Sequence, residues 1–368
     1  MWYQCQRLKR SSPYKMPAKI LILYLEFAEY TLATVRAMLA LGVEVHLVQY
    51  PIQSEAPYKF NFPTELKIYQ RFEYTNDQLL ELAKDINPAL IISGGWTDSG
   101  YLRIAKHFFG KIPTVLGMDT QFKNTPKQLL AIALSRFTLL KRFSYMCGGG
   151  KLQYEYAAML GFKKQNMLPT YYSADYNHFS DIYQKNLPQK AQHFPKKFIY
   201  VGRYLELKGL LDLWQAFTEL QNEQPNEWEL WCLGAGTLVP PPNLHQSIKH
   251  FGFVQPSDLG GYMAQTGVFV HPAYFEPWSV ATHEFAIAGF PLICSNAVGA
   301  IHSFIKPNEN GYVFEARNIQ SLKTEMKKMM EKTDAELQNM AAISHQLGST
   351  LTPQIAAQAF YDLATGKK

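Results

Sequence analysis

From Lys19 onward, short apolar runs alternate with stretches whose apolar residues recur at helical spacing, and the alternation happens twice along the chain. This pattern builds parallel sheets, because two parallel strands need a long crossover between them and a helix usually supplies it. The first series reads as strands Lys19–Leu25, Val43–Val48, Ala89–Ser93 and Thr114–Met118, with helices Thr31–Leu41, Thr75–Ile86, Tyr101–Phe109, Pro126–Phe143 and Leu152–Leu160. The second reads as strands Lys197–Val201, Trp228–Leu233, His250–Phe253, Val268–Pro272 and Pro291–Ser295, with helices Gly209–Leu220, Pro256–Gln265, Ser279–Ala288 and Ile319–Glu331. Between them, the polar stretch Tyr171–Ala191 has little apolar periodicity and reads as a linker. The expected fold class is α/β, with two Rossmann-like domains facing each other across a deep cleft. The expected bounds are 16–180 and 190–345, with a last helix at 350–366 crossing back to the first domain and residues 1–15 forming an N-terminal extension. Ligands of open parallel sheets sit beyond the carboxyl ends of the strands, which places the expected site in the cleft.

Composition narrows the class. A chain of 368 residues, 47% hydrophobic and 18% charged, is too apolar for disorder and long enough for two cores. No apolar run reaches the roughly 18 residues of a membrane span, and the polar, basic start lacks the apolar core of a signal peptide. Cys5, Cys147, Cys232 and Cys294 are scattered without a CxxC pair, which fits a reducing compartment and a cytoplasmic protein. Charge is unevenly spread: residues 1–190 hold 23 Lys and Arg against 14 Asp and Glu, and residues 191–368 hold 13 against 16. The basic half is expected to face something anionic, such as a phospholipid leaflet, a lipid-linked phosphate or nucleic acid. No aromatic and basic nucleic-acid module is visible, so nucleic acid is not an expected partner.

Strand-to-helix junctions in the second half carry the chemistry. In Tyr200-Val-Gly202-Arg203 through Lys208-Gly209, a glycine turn, two cations and a helix start converge, which suits a diphosphate; ordinary solvated charges are the alternative. Gly234 and Gly236 after the next strand permit close approach by a flat ligand or make a plain turn, and Val239 in place of a third glycine argues against a dinucleotide fold. The most informative stretch runs from His271 through Glu276-Pro277-Trp278-Ser279-Val280 to Glu284. The amides of its helix start can hold phosphate, while Glu276 before them and Glu284 after them can grip the hydroxyls at the two ends of a nucleotide sugar. The alternatives are a helix-dipole partner for Glu276 and a surface charge for Glu284. Cys294 to Ala300 reads as structural.

In order and spacing these stretches resemble the GT-B retaining glycosyltransferases of family 4. The carriers are Val201-Gly-Arg203 with Lys208-Gly209, Leu233-Gly-Ala-Gly236, Phe251-Gly-Phe253-Val254, Glu276-x7-Glu284 with Ala288-Gly289-Phe-Pro291, and Gly311-Tyr-Val-Phe314. The similarity covers Lys197–Phe314 well. A weaker pattern, Tyr154–Leu160 with Gly161-Phe and then Ser173 to Phe179, is similar to the end of the family's first domain, and residues 16–150 agree only in architecture. The resemblance implies that Arg203 and Lys208 bind the donor diphosphate, Glu276 the transferred sugar, and Glu284 the ribose. It also implies that the backbone of Trp278, Ser279 and Val280 cradles phosphate, with Gly202 at the turn and Gly236, Phe253 and Val254 bordering the base. Transfer with retention by front-face attack would make stabilising the leaving diphosphate the main catalytic task. No DxD occurs, so neither metal nor cofactor is expected.

The first half departs from the family. Tyr24-Leu25-Glu26-Phe27 replaces the usual glycine-rich loop, and Leu116-Gly-Met118-Asp119 lacks the usual histidine. Glu26 and Asp119 are candidate acceptor contacts. Asp119 either orients the acceptor hydroxyl or caps the segment after it. Trp96 offers a stacking face, and Asp98 either binds hydroxyls or caps the next helix. Cys147-Gly148-Gly149-Gly150-Lys151 lacks a P-loop ending and reads as a flexible turn. Helix Pro126–Phe143 mixes leucines with Lys127, Arg136, Lys141 and Arg142. Either it lies at an anionic membrane face or it packs inward with a basic edge, and the inward packing is the working expectation.

The function expected is transfer of a sugar from a nucleotide-sugar donor to a saccharide or lipid-linked acceptor in surface polysaccharide or glycolipid synthesis. Its place would be the cytoplasm, peripheral at the inner membrane face if the acceptor is lipid-linked. A GT-B sugar-nucleotide epimerase or phosphorylase is the alternative, and it would need further acid–base carboxylates in the cleft. A non-catalytic nucleotide-sugar binder would not need the full cation set.

Overall fold

A computed structural model describes residues 17–25, 27–51 and 60–367. Residues 1–15 and Glu26 therefore lie outside the described residues. In chain order the first half contains β1 (Lys19–Tyr24), α1 (Glu29–Ala40), β2 (Glu44–Gln49), β3 (Lys67–Gln70), α2 (Asn76–Ile86), β4 (Leu90–Gly94), α3 (Ser99–Phe108), β5 (Thr114–Met118), α4 (Pro126–Leu134), β6 (Tyr145–Gly148), α5 (Lys151–Met159) and β7 (Met167–Leu168). Then come α6 (Tyr176–Gln192), β8 (Lys197–Val201), α7 (Leu210–Glu223), β9 (Glu229–Leu233), β10 (Ile248–His250), α8 (Leu259–Gln265), β11 (Val268–His271), α9 (Val280–Ile287), β12 (Leu292–Ser295), α10 (Ile301–Phe304), β13 (Gly311–Phe314), α11 (Ile319–Met330), α12 (Asp334–Gly348) and α13 (Pro353–Thr365).

All strands pair in parallel, in two sheets of order β3-β2-β1-β4-β5-β6-β7 and β10-β9-β8-β11-β12-β13. The strands are buried on both faces, as in Ile20 to Tyr24, so they read as apolar runs rather than alternating ones. Strand order reverses once in each sheet, between β1 and β4 and between β8 and β11. Such switch points open a crevice at the carboxyl ends, and every candidate site residue that is described lies at one of those ends. The final helix α13 packs on α1 of the first domain, and one apolar cluster runs from Ile22 through Tyr171 and Trp278 to Phe285 and Phe360, so the two domains share part of their core.

Two expectations needed correction. The supposed linker is mostly α6, capped by Asp175, whose carboxylate accepts from the His178 N–H at 3.2 Å. Phe179 and Ile182 bury one face of that helix, and its other positions are polar enough, with Pro188 inside, to hide the period. Helix Pro126–Phe143 ends at Leu134, and single 3₁₀ turns follow at Ser135–Phe137 and Leu139–Lys141. The Ser135 hydroxyl donates to the Leu160 carbonyl instead, and Thr138 at φ −115° and ψ −81° cannot continue a helix. The inward packing of α4 is only partial: Ala131 and Ile132 lie against the core while none of its residues is fully buried, and Leu129, Leu130, Leu134 and Phe137 are 49%, 60%, 44% and 71% exposed.

Candidate active site

The second switch point collects the cations. The Tyr200 hydroxyl donates to the Arg203 carbonyl at 3.0 Å, fixing the turn after β8, and the Arg203 residue is exposed. Lys208 closes a 3₁₀ turn before Gly209, which takes φ +69° where an added Cβ would collide with the Pro272 carbonyl. This glycine lets the start of α7 approach β11, and so brings Lys208 Nζ into a charged hydrogen bond with Glu276 Oε2. His271, at the end of β11 and 2% exposed, places Nε2 3.6 Å from the same oxygen. Burial alone would raise the Glu276 carboxyl, and His271 and Lys208 outweigh it, holding the group at about 2. Glu276 is therefore an anion at any physiological pH. Burial pushes the His271 imidazole down, against the pull of Glu276. No role was expected for His271; its signal was its place two positions before Ala273 in a strand aimed at the cation loop, which means little until β8 and β11 are known to be neighbours.

The Glu276 loop is laid beside the exit of β12. The Glu276 N–H donates to Ala297 at 3.1 Å, Gly299 N–H donates to Glu276 at 2.9 Å, and Ala300 N–H donates to Trp278 at 2.8 Å. A Cβ on Gly299 would strike the Pro277 carbonyl, so the stretch read as structural is the bed of the Glu276 loop. Ser279 takes φ +83°, a region costly for a residue with a Cβ, and caps α9 by accepting from Thr282 N–H at 3.1 Å. Gly236 and the Phe253–Val254 pair lie on the outer strands of the same edge, Gly236 exposed and the pair half-buried.

Glu284 sits one turn into α9 and lines an interdomain cavity of about 260 Å³ with Gln255, Asp175, and Glu29 and Arg36 of α1. Burial first, then the neighbouring Asp175 and Glu29, raise its carboxyl to about 7. Arg36 offsets part of that charge, 2.7 Å from Glu29 and 3.9 Å from Asp175.

The first switch point has a different lining. A cavity of about 300 Å³ is walled by Tyr24, Trp96, Asp119 and Tyr172 at the ends of β1, β4 and β5 and before α6. Asp119 is exposed to it, and its charge is near enough to contribute to raising the Tyr172 hydroxyl. Asp98 is elsewhere. Its carboxylate caps α3 through Tyr101 N–H at 2.8 Å and accepts from Arg71 at 3.0 Å and Tyr50 at 2.7 Å, with 5% of the side chain exposed. It is spent on holding α3, so the capping reading describes it and the hydroxyl-binding one does not. The glycine run before α5 is not a free turn either. The Trp278 ring lies over Gly149 and Gly150, where a Cβ would meet it at 3.0 Å or closer, and Trp278 Nε1 donates to the Tyr172 carbonyl at 2.7 Å. Among the described residues no group of three His, Cys, Asp and Glu side chains could hold a metal.

Comparison with known proteins agrees with this geometry. Residues 184–344 match the family model of glycosyl transferases group 1. A glycogen synthase of Mycobacterium tuberculosis is 25% identical over 172 residues, which are 45% of this chain and 41% of that protein, so the match spans less than half of the curated relative. A glycosyltransferase from Rickettsia africae superposes with a TM-score of 0.72 at 10% identity over 96% of this chain and 100% of its own. Anabaena Alr3699/HepE, solved with UDP and glucose, superposes with a TM-score of 0.68 at 15% identity over 93% and 97%. The fold is GT-B, two parallel-sheet Rossmann-like domains. The resemblance read from the motifs of the second half is borne out as a glycosyl transferases group 1 domain over residues 184–344.

Proposed function

We propose that the protein is a retaining, metal-independent glycosyltransferase that moves a sugar from a nucleoside-diphosphate donor to a saccharide or lipid-linked acceptor of a surface polysaccharide or glycolipid. The observation that carries this reading is the Lys208–Glu276 pair beside Arg203 at one switch point. The diphosphate lies against Arg203, Lys208 and the amides of Trp278, Ser279 and Val280, with Gly202 leaving room. These groups stabilise the negative charge that grows on the diphosphate as the glycosidic bond breaks. Glu276, kept ionised, accepts hydrogen bonds from hydroxyls of the transferred sugar. Glu284 holds the ribose in the interdomain cavity, and Gly236, Phe253 and Val254 border the base. The acceptor enters the aromatic cavity of the first domain, stacking on Trp96, and Asp119 orients its hydroxyl for attack on the same face that the diphosphate leaves.

The exposed leucines of α4 and Phe137, with Lys127, Arg136 and Lys141 beside them, support an anionic membrane face as the acceptor's source, with the enzyme peripheral on the cytoplasmic side. No described helix is long and apolar enough to cross a membrane. A thermal-shift screen of UDP, GDP, CDP and ADP sugars tests the donor, since a nucleotide that binds the native state raises the melting point by mass action. UDP-glucose is the first probe, after the Anabaena complexes. If no nucleotide sugar raises it, the assignment fails.

A further inference from the structure

Donor and acceptor residues lie on separate sheets, so contacts across the cleft must set their separation. Gln153, on the first turn of α5 and fully buried, contacts both sides. Its Oε1 accepts the Gly150 N–H at 2.9 Å, and its Nε2 donates to the Asp119 carbonyl at 2.8 Å and to the Pro277 carbonyl at 2.7 Å. Asp119 leaves β5 at the acceptor cavity, and Pro277 follows Glu276. We infer that Gln153 is a positioning residue for the transfer reaction: one amide holds the Asp119 loop and the Glu276 loop at a fixed distance from each other. The inference rests on reading these two loops as acceptor and donor half-sites.

The chemistry requires an amide. One acceptor and two donors on one planar group match one N–H and two carbonyls, and this set of partners admits only one orientation of the amide. Glutamate would keep the acceptor for Gly150 and lose both donors, and methionine would keep the volume and lose all three bonds. The Trp278 ring, seated on Gly149 and Gly150, presses the same helix start from the donor side, so the amide bridge sits within a packed contact rather than in open solvent.

The experiment compares wild type, Gln153→Glu and Gln153→Met by thermal melting, UDP affinity, small-angle X-ray scattering and sugar transfer from the donor found in the screen. Gln153→Glu retains the helix cap but sets a buried carboxylate against two carbonyls, so it is expected to melt below wild type at neutral pH, to recover as pH falls, and to bind UDP within about twofold. It should scatter as a more open particle and transfer about 100-fold more slowly, the cost of a misplaced reacting pair. Protonating the introduced carboxyl returns one donor, so the ratio of variant to wild-type rate should rise as pH falls. Gln153→Met should show the same slow transfer with a ratio independent of pH. Transfer by Gln153→Glu within twofold of wild type, or a pH-independent ratio with unchanged scattering, would overturn the inference and leave a packing role only. If Gln153→Glu does not fold, wild-type scattering by Gln153→Met overturns it instead. If wild type transfers nothing from any nucleotide sugar, the proposed function fails, while the scattering comparison, which needs no substrate, still decides on the bridge.

Discussion

The two sheets end in switch points of opposite character. Between β8 and β11 stand Arg203, Lys208 and Glu276, and around the ends of β1, β4 and β5 stand Tyr24, Trp96 and Tyr172, with Asp119 the one acid among the described lining residues. The strands beneath are alike, so the difference is written wholly in the loops. A diphosphate is met by charges and amides that a short stretch such as Gly202 to Gly209 can supply by itself. A sugar face is met by rings collected from residues 24, 96 and 172, which only the finished fold assembles.

The sharpest way to break the comparison is at the charged end. Lys208→Ala or Glu276→Ala should lower transfer about 10³-fold in initial-rate assays with the fold kept by circular dichroism, and Lys208→Ala, which strands the buried Glu276 carboxylate, should also melt below wild type. Wild-type turnover by either variant would remove the donor assignment. Asp98→Ala should act on the other side without touching chemistry. It strands Arg71, uncaps α3 and costs about 3 kcal/mol in urea unfolding, with nucleotide affinity unchanged. Trp96→Ala should raise the acceptor KM about tenfold and leave the donor KM alone. A basic residue near an anionic surface contributes about 1 kcal/mol, so Lys127→Ala should reduce flotation with phosphatidylserine liposomes several-fold at low salt, and failure of wild type to float would end the membrane reading.

A pH-dependent effect concerns Glu284. Its folded carboxyl titrates near 7, above the ordinary range, because burial and then Asp175 and Glu29 disfavour the anion. The stabilisation by its protonated form is full below the unfolded value and is lost as pH rises toward 7 and beyond. Glu284→Gln should therefore match wild-type stability near pH 4 and exceed it at pH 8. Equal melting curves for the two chains at both values would show that the three carboxylates do not interact.

The cluster proposed as the donor half was legible because its signals are local. Glu276 and Glu284 are eight residues apart on one loop and helix, and Gly209 and Lys208 are adjacent. The acceptor half was not, for specific reasons. Asp98 reads as a site residue or as a cap until Arg71, 27 positions away, is seen to hold its carboxylate. Gln153 could be read only as a local cap of α5, since Asp119 reaches it through the folding of the first domain and Pro277 only through the docking of the second. The α4 segment misled in the opposite sense: its leucines fit an inward face, but Ala131 and Ile132 take that face and Leu129, Leu130 and Leu134 stand in solvent.

His283, next to Glu284, accepts the Ala174 N–H at Nδ1 and, through Nε2, donates to the Gly348 carbonyl, with burial keeping the imidazole neutral down to about 4. Residue 174 lies where the chain leaves the first domain, and residue 348 where it starts back. Both crossings are thus tied to one ring, which makes it a pivot: displacement in any opening grows with distance from it. In such an opening the Glu284 end of the cleft would move least and the far rim, where Lys123 lies 2.9 Å from the centre of the Phe275 ring, would move most.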